Sequence, residues 1–190
     1  MLTVAIQAGG QSSRMGEDKA LKPFLGRPLI QRVIERLQPI ADELIVTTNR
    51  PAEYAFLRLP LFMDLKPGRG ALGGLHTAIA SAKSPLVAVA ACDMPFVSAP
   101  LLETAARLLV EEDVDVVIPR SGEGLEPLHA VYRRETCLPA IEAAIAADLW
   151  KVIVWFPQVR VREMEADDER AFWNVNTPEE FAEAERLATG

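Results

Sequence analysis

The feature that most constrains this chain is a change of character near its start. Residues 2–6 form a short apolar run, the pattern of a strand buried on both faces of a parallel sheet. It passes at once into a stretch holding Gly9, Gly10 and Gly16, Ser12 and Ser13, and the cations Arg14 and Lys19. Glycine lets backbone N–H groups turn inward and approach a ligand closely, because no Cβ stands between. Partial charge from those amides and full charge from Arg14 and Lys19 together suit a polyphosphate. A solvated Gly/Ser turn would account for the glycines and serines alone; two cations on the same loop favour binding. Two familiar phosphate loops do not fit. A Walker A loop closes on Gly-Lys-Ser/Thr, whereas Gly16 is followed by Glu17-Asp18-Lys19. The dinucleotide fingerprint spaces its glycines Gly-x-Gly-x-x-Gly, whereas Gly9 and Gly10 are adjacent and serines follow.

Downstream, strand and helix patterns alternate. Pro28 suits the first position of a helix whose inward face is Leu29, Val33 and Leu37 and which stops near Pro39. Strands are predicted over 43–49, 61–63, 85–92, 114–118, 126–132 and 159–163. Helices are predicted over 52–58, 75–82, 98–111, 136–146 and 177–188. The turn cluster at 120–124 makes a β-ribbon of its two flanking strands, and 150–156 is apolar but too short to separate strand from helix. The pattern predicts an α/β chain with a mostly parallel central sheet flanked by helices, right-handed crossovers and an inserted β-ribbon. With 190 residues, one domain over 1–190 is the economical division.

Charge narrows the ligand class. A formal net charge of −7 argues against a nucleic acid or an anionic membrane as partner. Basic residues nevertheless gather early, at Arg14, Lys19, Lys22, Arg27, Arg32 and Arg36, which suits a small anionic substrate. The two cysteines, Cys92 and Cys137, lack metal-ligand spacing and imply neither a disulfide framework nor a zinc site, as in a reducing cytoplasm. No stretch reaches the length of a membrane span and no basic-apolar leader opens the chain. A cytoplasmic protein is expected.

Four further places carry chemistry. Asn49 ends a predicted strand on the edge where parallel sheets bind ligands, and reads equally as a turn-former before Arg50-Pro51. The segment 66–75, with Gly70, Gly73 and Gly74, suits a loop folding over a base or ribose, or else a plain strand-to-helix connection. Asp93 ends a wholly apolar strand, so its carboxylate reaches the sheet edge; Mg²⁺ takes one or two carboxylates beside substrate phosphates and water, while capping the turn before Pro95 is the alternative. Near the C-terminal end, Thr177, Pro178 and Glu180 form a capping box. Asn174 and Asn176, two residues apart and so on one face of an extended segment, are left over as amides able to donate and accept. His76 reads as a helix-face residue, and Cys92 as a packed thiol.

The run from Ala8 to Ala20 resembles the opening of the molybdenum cofactor guanylyltransferases, Leu-Ala-Gly-Gly-x-Ser-x-Arg-Met-Gly-x-Asp-Lys-Ala, with Gln7 in place of leucine. Cys92-Asp93-Met94-Pro95 matches that family's Cys-Asp-x-Pro, and Asn174 to Glu179 its closing Asn-x-Asn-Thr-Pro-Glu. The family's Gly-Pro-Leu-x-Gly is met at 70–74 with Ala71 for proline, and Pro127-Leu128 resembles its Gln/His-Pro-x element, preceded here by Glu126. The resemblance implies a Rossmann-like nucleotidyltransferase fold and transfer of GMP from GTP to the terminal phosphate of molybdenum-bearing molybdopterin, with pyrophosphate released. It implies Arg14, Lys19 and Asp93 as catalytic groups, with Mg²⁺ on Asp93. Gln7, Ala8, Gly9, Gly10, Ser12, Arg14, Lys19, Asn49, Asp64, Gly70, Leu72, Gly73 and Asp93 would hold the nucleotide, and Pro127, His129, Asn174 and Asn176 the acceptor. Apo-molybdoenzymes or their chaperones would receive the product. A sister enzyme using CTP, on the same pterin or on a sugar or polyol phosphate, and a non-catalytic cofactor-delivery adaptor are the alternatives.

Overall fold

The computed structural model describes residues 1–8 and 18–189. The expected site residues Gly9, Gly10, Ser12 and Arg14 lie outside them. The first strand, β1 (Leu2–Gln7), is buried along its whole length and pairs in parallel with β4 (Glu43–Thr47) on one side and β6 (Leu86–Ala91) on the other. Between β1 and β4 lie a two-strand hairpin, β2 (Pro23–Phe24) and β3 (Arg27–Pro28), and helix α1 (Leu29–Leu37). Pro28 therefore closes the hairpin and occupies the N-cap position, so the helix begins at Leu29, one residue later than expected.

After β4 come α2 (Pro51–Tyr54), β5 (Leu61–Phe62) and α3 (Gly70–Ser81), and after β6 comes α4 (Ala99–Glu111), whose first turn is capped by Ser98. The second half runs β7 (Val116–Ser121), β8 (Gly124–Leu125), β9 (His129–Arg133), α5 (Arg134–Ala146), β10 (Val161–Glu165) and α6 (Pro178–Thr189). The sheet order is β10-β7-β9-β6-β1-β4-β5, with β8 paired to β7. Strands β6, β1, β4 and β5 are parallel; β9 enters antiparallel to both β6 and β7.

The ribbon is thus smaller than the sequence pattern suggests. Only Arg120–Leu125 and Ser121–Gly124 pair as a hairpin, and β9 is an interior strand of the main sheet. Pro127 explains its late start: lacking an N–H, it cannot join a ladder, and residues 126–129 turn instead, His129 N donating to Glu126 O at 3.0 Å. The segment 150–155 is a series of turns around Trp155, leading into a 3-10 turn at Phe156–Gln158; Trp155 is fully buried and donates from its indole to Val152 O at 2.7 Å.

Alternation along the strands sorts the core into two layers. Val4, Ile6, Val46, Ala88, Ala90 and Val131 face α1 and α4; Ala5, Ile45, Val87, Val89, Ala130 and Tyr132 face α3 and α5. Apolar side chains on both faces of a strand are what a sheet covered on two sides requires. No helix among the described residues is long and apolar enough to cross a membrane.

Candidate active site

Because β1, β4 and β6 run in parallel, their C-terminal ends bring Ala8, Asn49 and Asp93 to one edge of the sheet. Ala8 extends the ladder, its N–H donating to Thr47 O at 2.8 Å, and Cys92 N donates to Gln7 O at 3.1 Å. The Gln7 side chain turns toward α3 and is buried, its amide nitrogen without a partner among the described residues. At this edge Asn49 and Asp64 clasp one another. Asn49 Nδ2 donates to Asp64 Oδ2 at 2.8 Å, and Asp64 N to Asn49 Oδ1 at 3.1 Å. That exchange fixes Asn49 beyond the needs of a turn.

Lys19 stands on a single 3-10 turn, residues Lys19–Leu21, which Ala20 pins into the core and the Asp18 side chain caps through Ala20 N at 3.1 Å. Lys19 Nζ donates to Asn176 Oδ1 at 2.8 Å, across 157 positions of sequence. Beside this contact, Val175 N donates to the carbonyl of Asp93 at 3.0 Å. The extended stretch 174–176 therefore buries Val175 and turns both asparagines outward. Asn176 Nδ2 reaches back to Asn174 O at 3.2 Å. The capping box is formed as expected, Glu180 N donating to Thr177 Oγ1 at 3.2 Å and Thr177 N to Glu180 Oε2 at 2.9 Å.

Electrostatics distinguish Asp93 from its neighbours. Burial pushes its carboxyl above the ordinary range, while its own backbone amide and the Lys19 cation pull the other way. Burial, with the charges of Asp93 and Asp18 nearby, drives the adjacent Cys92 thiol well up, so it stays protonated and is no nucleophile.

A cavity of about 370 Å³ opens next to Asn174 and Asn176, with Glu123, Glu126, Glu169 and Trp173 among its walls. Trp173 stacks on Phe96 with ring centroids 5.9 Å apart. Glu126 accepts from Ser121 Oγ at 2.6 Å and Glu169 from Gly122 N at 2.9 Å.

Two expectations are corrected. Gly70, Leu72 and Gly73 do not form a loop over a ligand; they are the first residues of α3, and the Leu72 side chain is wholly buried in the core. His129 is wholly buried beneath the Phe172 ring, 5.1 Å between centroids, and cannot touch an acceptor. Its ring nitrogens face the backbone of Ser98 and Ala171 without a properly aligned hydrogen bond. Pro127 is half-buried, and its carbonyl accepts from Tyr132 Oη at 2.6 Å.

Other contacts escaped the sequence reading. Arg69, at the start of α3, pairs with Asp148 and lies over the half-exposed Trp150 ring, 4.6 Å from its centroid. His76 meets Glu142 of α5 at 3.5 Å. Arg50 and Tyr54 both bind Asp18. Each joins residues far apart in sequence, where no local spacing could signal the pair.

A family model described as a MobA-like NTP transferase domain matches residues 4–159. The probable molybdenum cofactor guanylyltransferase of Carboxydothermus hydrogenoformans is 39% identical, over 95% of this chain and 93% of its own. The molybdenum cofactor guanylyltransferase of Desulfosudis oleivorans is 35% identical, over 97% and 94%. The crystal structure of molybdopterin-guanine dinucleotide biosynthesis protein A from Archaeoglobus fulgidus superposes with a TM-score of 0.83 at 28% identity, covering 98% of both chains. A 2-C-methyl-D-erythritol 4-phosphate cytidylyltransferase from Thermus thermophilus superposes at 0.72 over 98% of both chains; at 22% identity it shares the fold alone.

Proposed function

This chain belongs to the MobA-like NTP transferase family, and from that premise we propose that it transfers GMP from GTP to the terminal phosphate of molybdenum-bearing molybdopterin. An acceptor phosphate oxygen attacks the α-phosphorus; the bond from that phosphorus to the β-bridging oxygen breaks, and pyrophosphate leaves with the electron pair. The observation that carries this reading is the hydrogen bond from Lys19 to Asn176 beside Asp93. It draws the flank of the Gly-rich loop and the Asn-x-Asn segment to one point on the sheet edge, where two polyanions have to meet.

A phosphate is already a nucleophile at neutral pH, so the chain need supply no general base. Its task is to position the reactants and offset charge. Lys19 neutralises phosphate oxygens, Asn49 and Asp64 hold the nucleoside, and Asn174 and Asn176 donate to the acceptor. Asp93 suits a magnesium ion, because a carboxylate disfavoured by burial gains from a divalent cation and Mg²⁺ needs few protein ligands when phosphates supply the rest. Bound there, Mg²⁺ would offset negative charge on the α-phosphate and on the leaving group.

The test is pyrophosphate release from GTP in the presence of the molybdenum-bearing pterin, beside thermal melting with GTP, CTP, ATP and UTP, each with and without Mg²⁺. A ligand at a hundred times its Kd adds about 2.7 kcal/mol, roughly 5–11 °C for a chain of this size. A magnesium-dependent shift with GTP and release only with the pterin are expected. Preference for CTP would overturn the guanine assignment, and absence of release with any nucleotide would overturn transfer.

A further inference from the structure

The turn that carries Lys19 is held from an unexpected quarter. Asp18 Oδ2 accepts from Tyr54 Oη at 2.5 Å and from Arg50 Nη2 at 2.5 Å, while Oδ1 caps Ala20 N at 3.1 Å. Both donors belong to the connection leaving β4, which also carries Asn49. Tyr54 is wholly buried and packs in the same core layer as Ala20, whereas the Asp18 carboxylate is 10% exposed. A helix cap asks one oxygen of an aspartate and tolerates water on the other. Here the second oxygen takes two charge-assisted or buried donors instead, a far stiffer arrangement than a cap requires. Asp18 is next to Lys19, and its charge is felt at Cys92, the neighbour of Asp93. Whatever fixes Asp18 therefore fixes the root of the Lys19 side chain relative to Asp93 and Asn176.

We infer that Asp18, held by Tyr54 and Arg50, is the positioning residue for Lys19, setting where its ammonium stands between Asp93 and Asn176. The consequence for turnover rests on the transfer reaction proposed above; the placement of Lys19 does not. Burial and the bond to Asp18 push the Tyr54 hydroxyl well up, so it remains a donor throughout the working pH range. Arg50 also binds Glu53 at 3.3 Å on the outer surface, which ties the network to the start of α2.

Two measurements test this on the intact protein. The first is the rate at which an amine-reactive anhydride modifies Lys19, followed by mass spectrometry, in wild type, Asp18→Asn, Tyr54→Phe and Arg50→Gln. Faster modification of Lys19 in all three, with other lysines unchanged, is expected; an unchanged Lys19 rate overturns the placement, whatever the enzyme does. The second is turnover. Displacing a charge-bearing group by about an ångström costs up to roughly 100-fold, and a fall of about 10- to 100-fold for Asp18→Asn, mostly in kcat, is expected. In a Lys19→Ala background the same substitution should lower kcat no further, although it still lowers the melting temperature. Full additivity of the two losses would overturn action through Lys19, since independent sites add. A Lys19 that becomes reactive in a protein showing no transfer at all would keep the placement and reject the reaction. Tyr54→Phe and the exposed Arg50→Gln cover the case in which Asp18→Asn does not fold.

Discussion

At His129 the fold suppresses an ionisation. Burial of the imidazole lowers its pKa to about 4, whereas an unfolded histidine titrates near ~6.5. Between those values the unfolded chain binds the extra proton, so stability rises with pH through the window and is complete above it. Urea melts should show wild type losing about 2 kcal/mol more than His129→Leu between pH 6.5 and 4.5. Asp93 shifts the opposite way, its carboxyl raised by burial. A raised acid costs the fold stability at pH values where it is charged, and that cost disappears once both states are protonated. Asp93→Asn should therefore melt higher than wild type at pH 8, the gain fading as pH falls, while transfer is largely lost. These two residues also show where sequence stops short. Asp93 was legible, because an aspartate closing an apolar strand has to surface at the sheet edge. His129 was not, because β9 is covered by Phe172, forty-three positions away, and alternation alone does not say whether a face is covered.

Among the elements, α3 departs furthest from its expected form. Three glycines within five residues read as a loop, since glycine disfavours a helix interior by about 1 kcal/mol apiece. Packing overrides that. Leu72, Leu75, Ala78 and Ile79 make a buried stripe against β1, β4 and β6, and burial of one such large side chain is worth about 1.5–3 kcal/mol. Gly70 adopts a φ of +55°, which glycine takes without strain, and Gly73 and Gly74 are there for clearance. A Cβ at Gly73 would stand 2.9 Å from the Lys66 carbonyl, and one at Gly74 2.8 Å from Gln7 Oε1. The first obstacle is backbone and the second is the tip of a side chain that can rotate. Gly73→Ala should cost about 1–3 kcal/mol as overpacking does, measured by urea melts, and Gly74→Ala clearly less. The same distinction explains what was readable. Strands β1, β4 and β6 were visible because their apolar runs have no other use, whereas the start of α3 depends on how close two segments of backbone approach.

For the whole molecule, the site is a seam between the first strand's loop flank and the segment leading into α6. Among the described residues, two hydrogen bonds tie that segment to the sheet's C-terminal edge, Lys19 to Asn176 and Val175 to Asp93. The first uses side chains and the second uses backbone, so they separate under mutation. Asn176→Ala removes the acceptor of Lys19 and the donor to Asn174 but keeps the Val175 bond and the buried Val175 side chain. Asn176 is exposed, so the loss to stability should stay within about 0.5 kcal/mol, as for surface changes generally. If the second half of the sheet edge serves the acceptor, its KM should rise about 5- to 30-fold for this variant, the effect of losing roughly 1–2 kcal/mol of binding. The melting shift given by GTP and magnesium should remain. Lys19→Ala, by contrast, should weaken the nucleotide shift and turnover together, because the proposed reaction sets that ammonium against the phosphates of both substrates. Equal damage to nucleotide binding in the Asn176→Ala protein would mean that the seam is one site rather than two half-sites meeting at Lys19. The paired asparagines could be singled out from sequence because no capping rule required them; that Asn176 meets Lys19 could not, since 157 positions separate the two and it takes both the parallel pairing of β1 with β6 and the Val175 bond to Asp93 to bring them together.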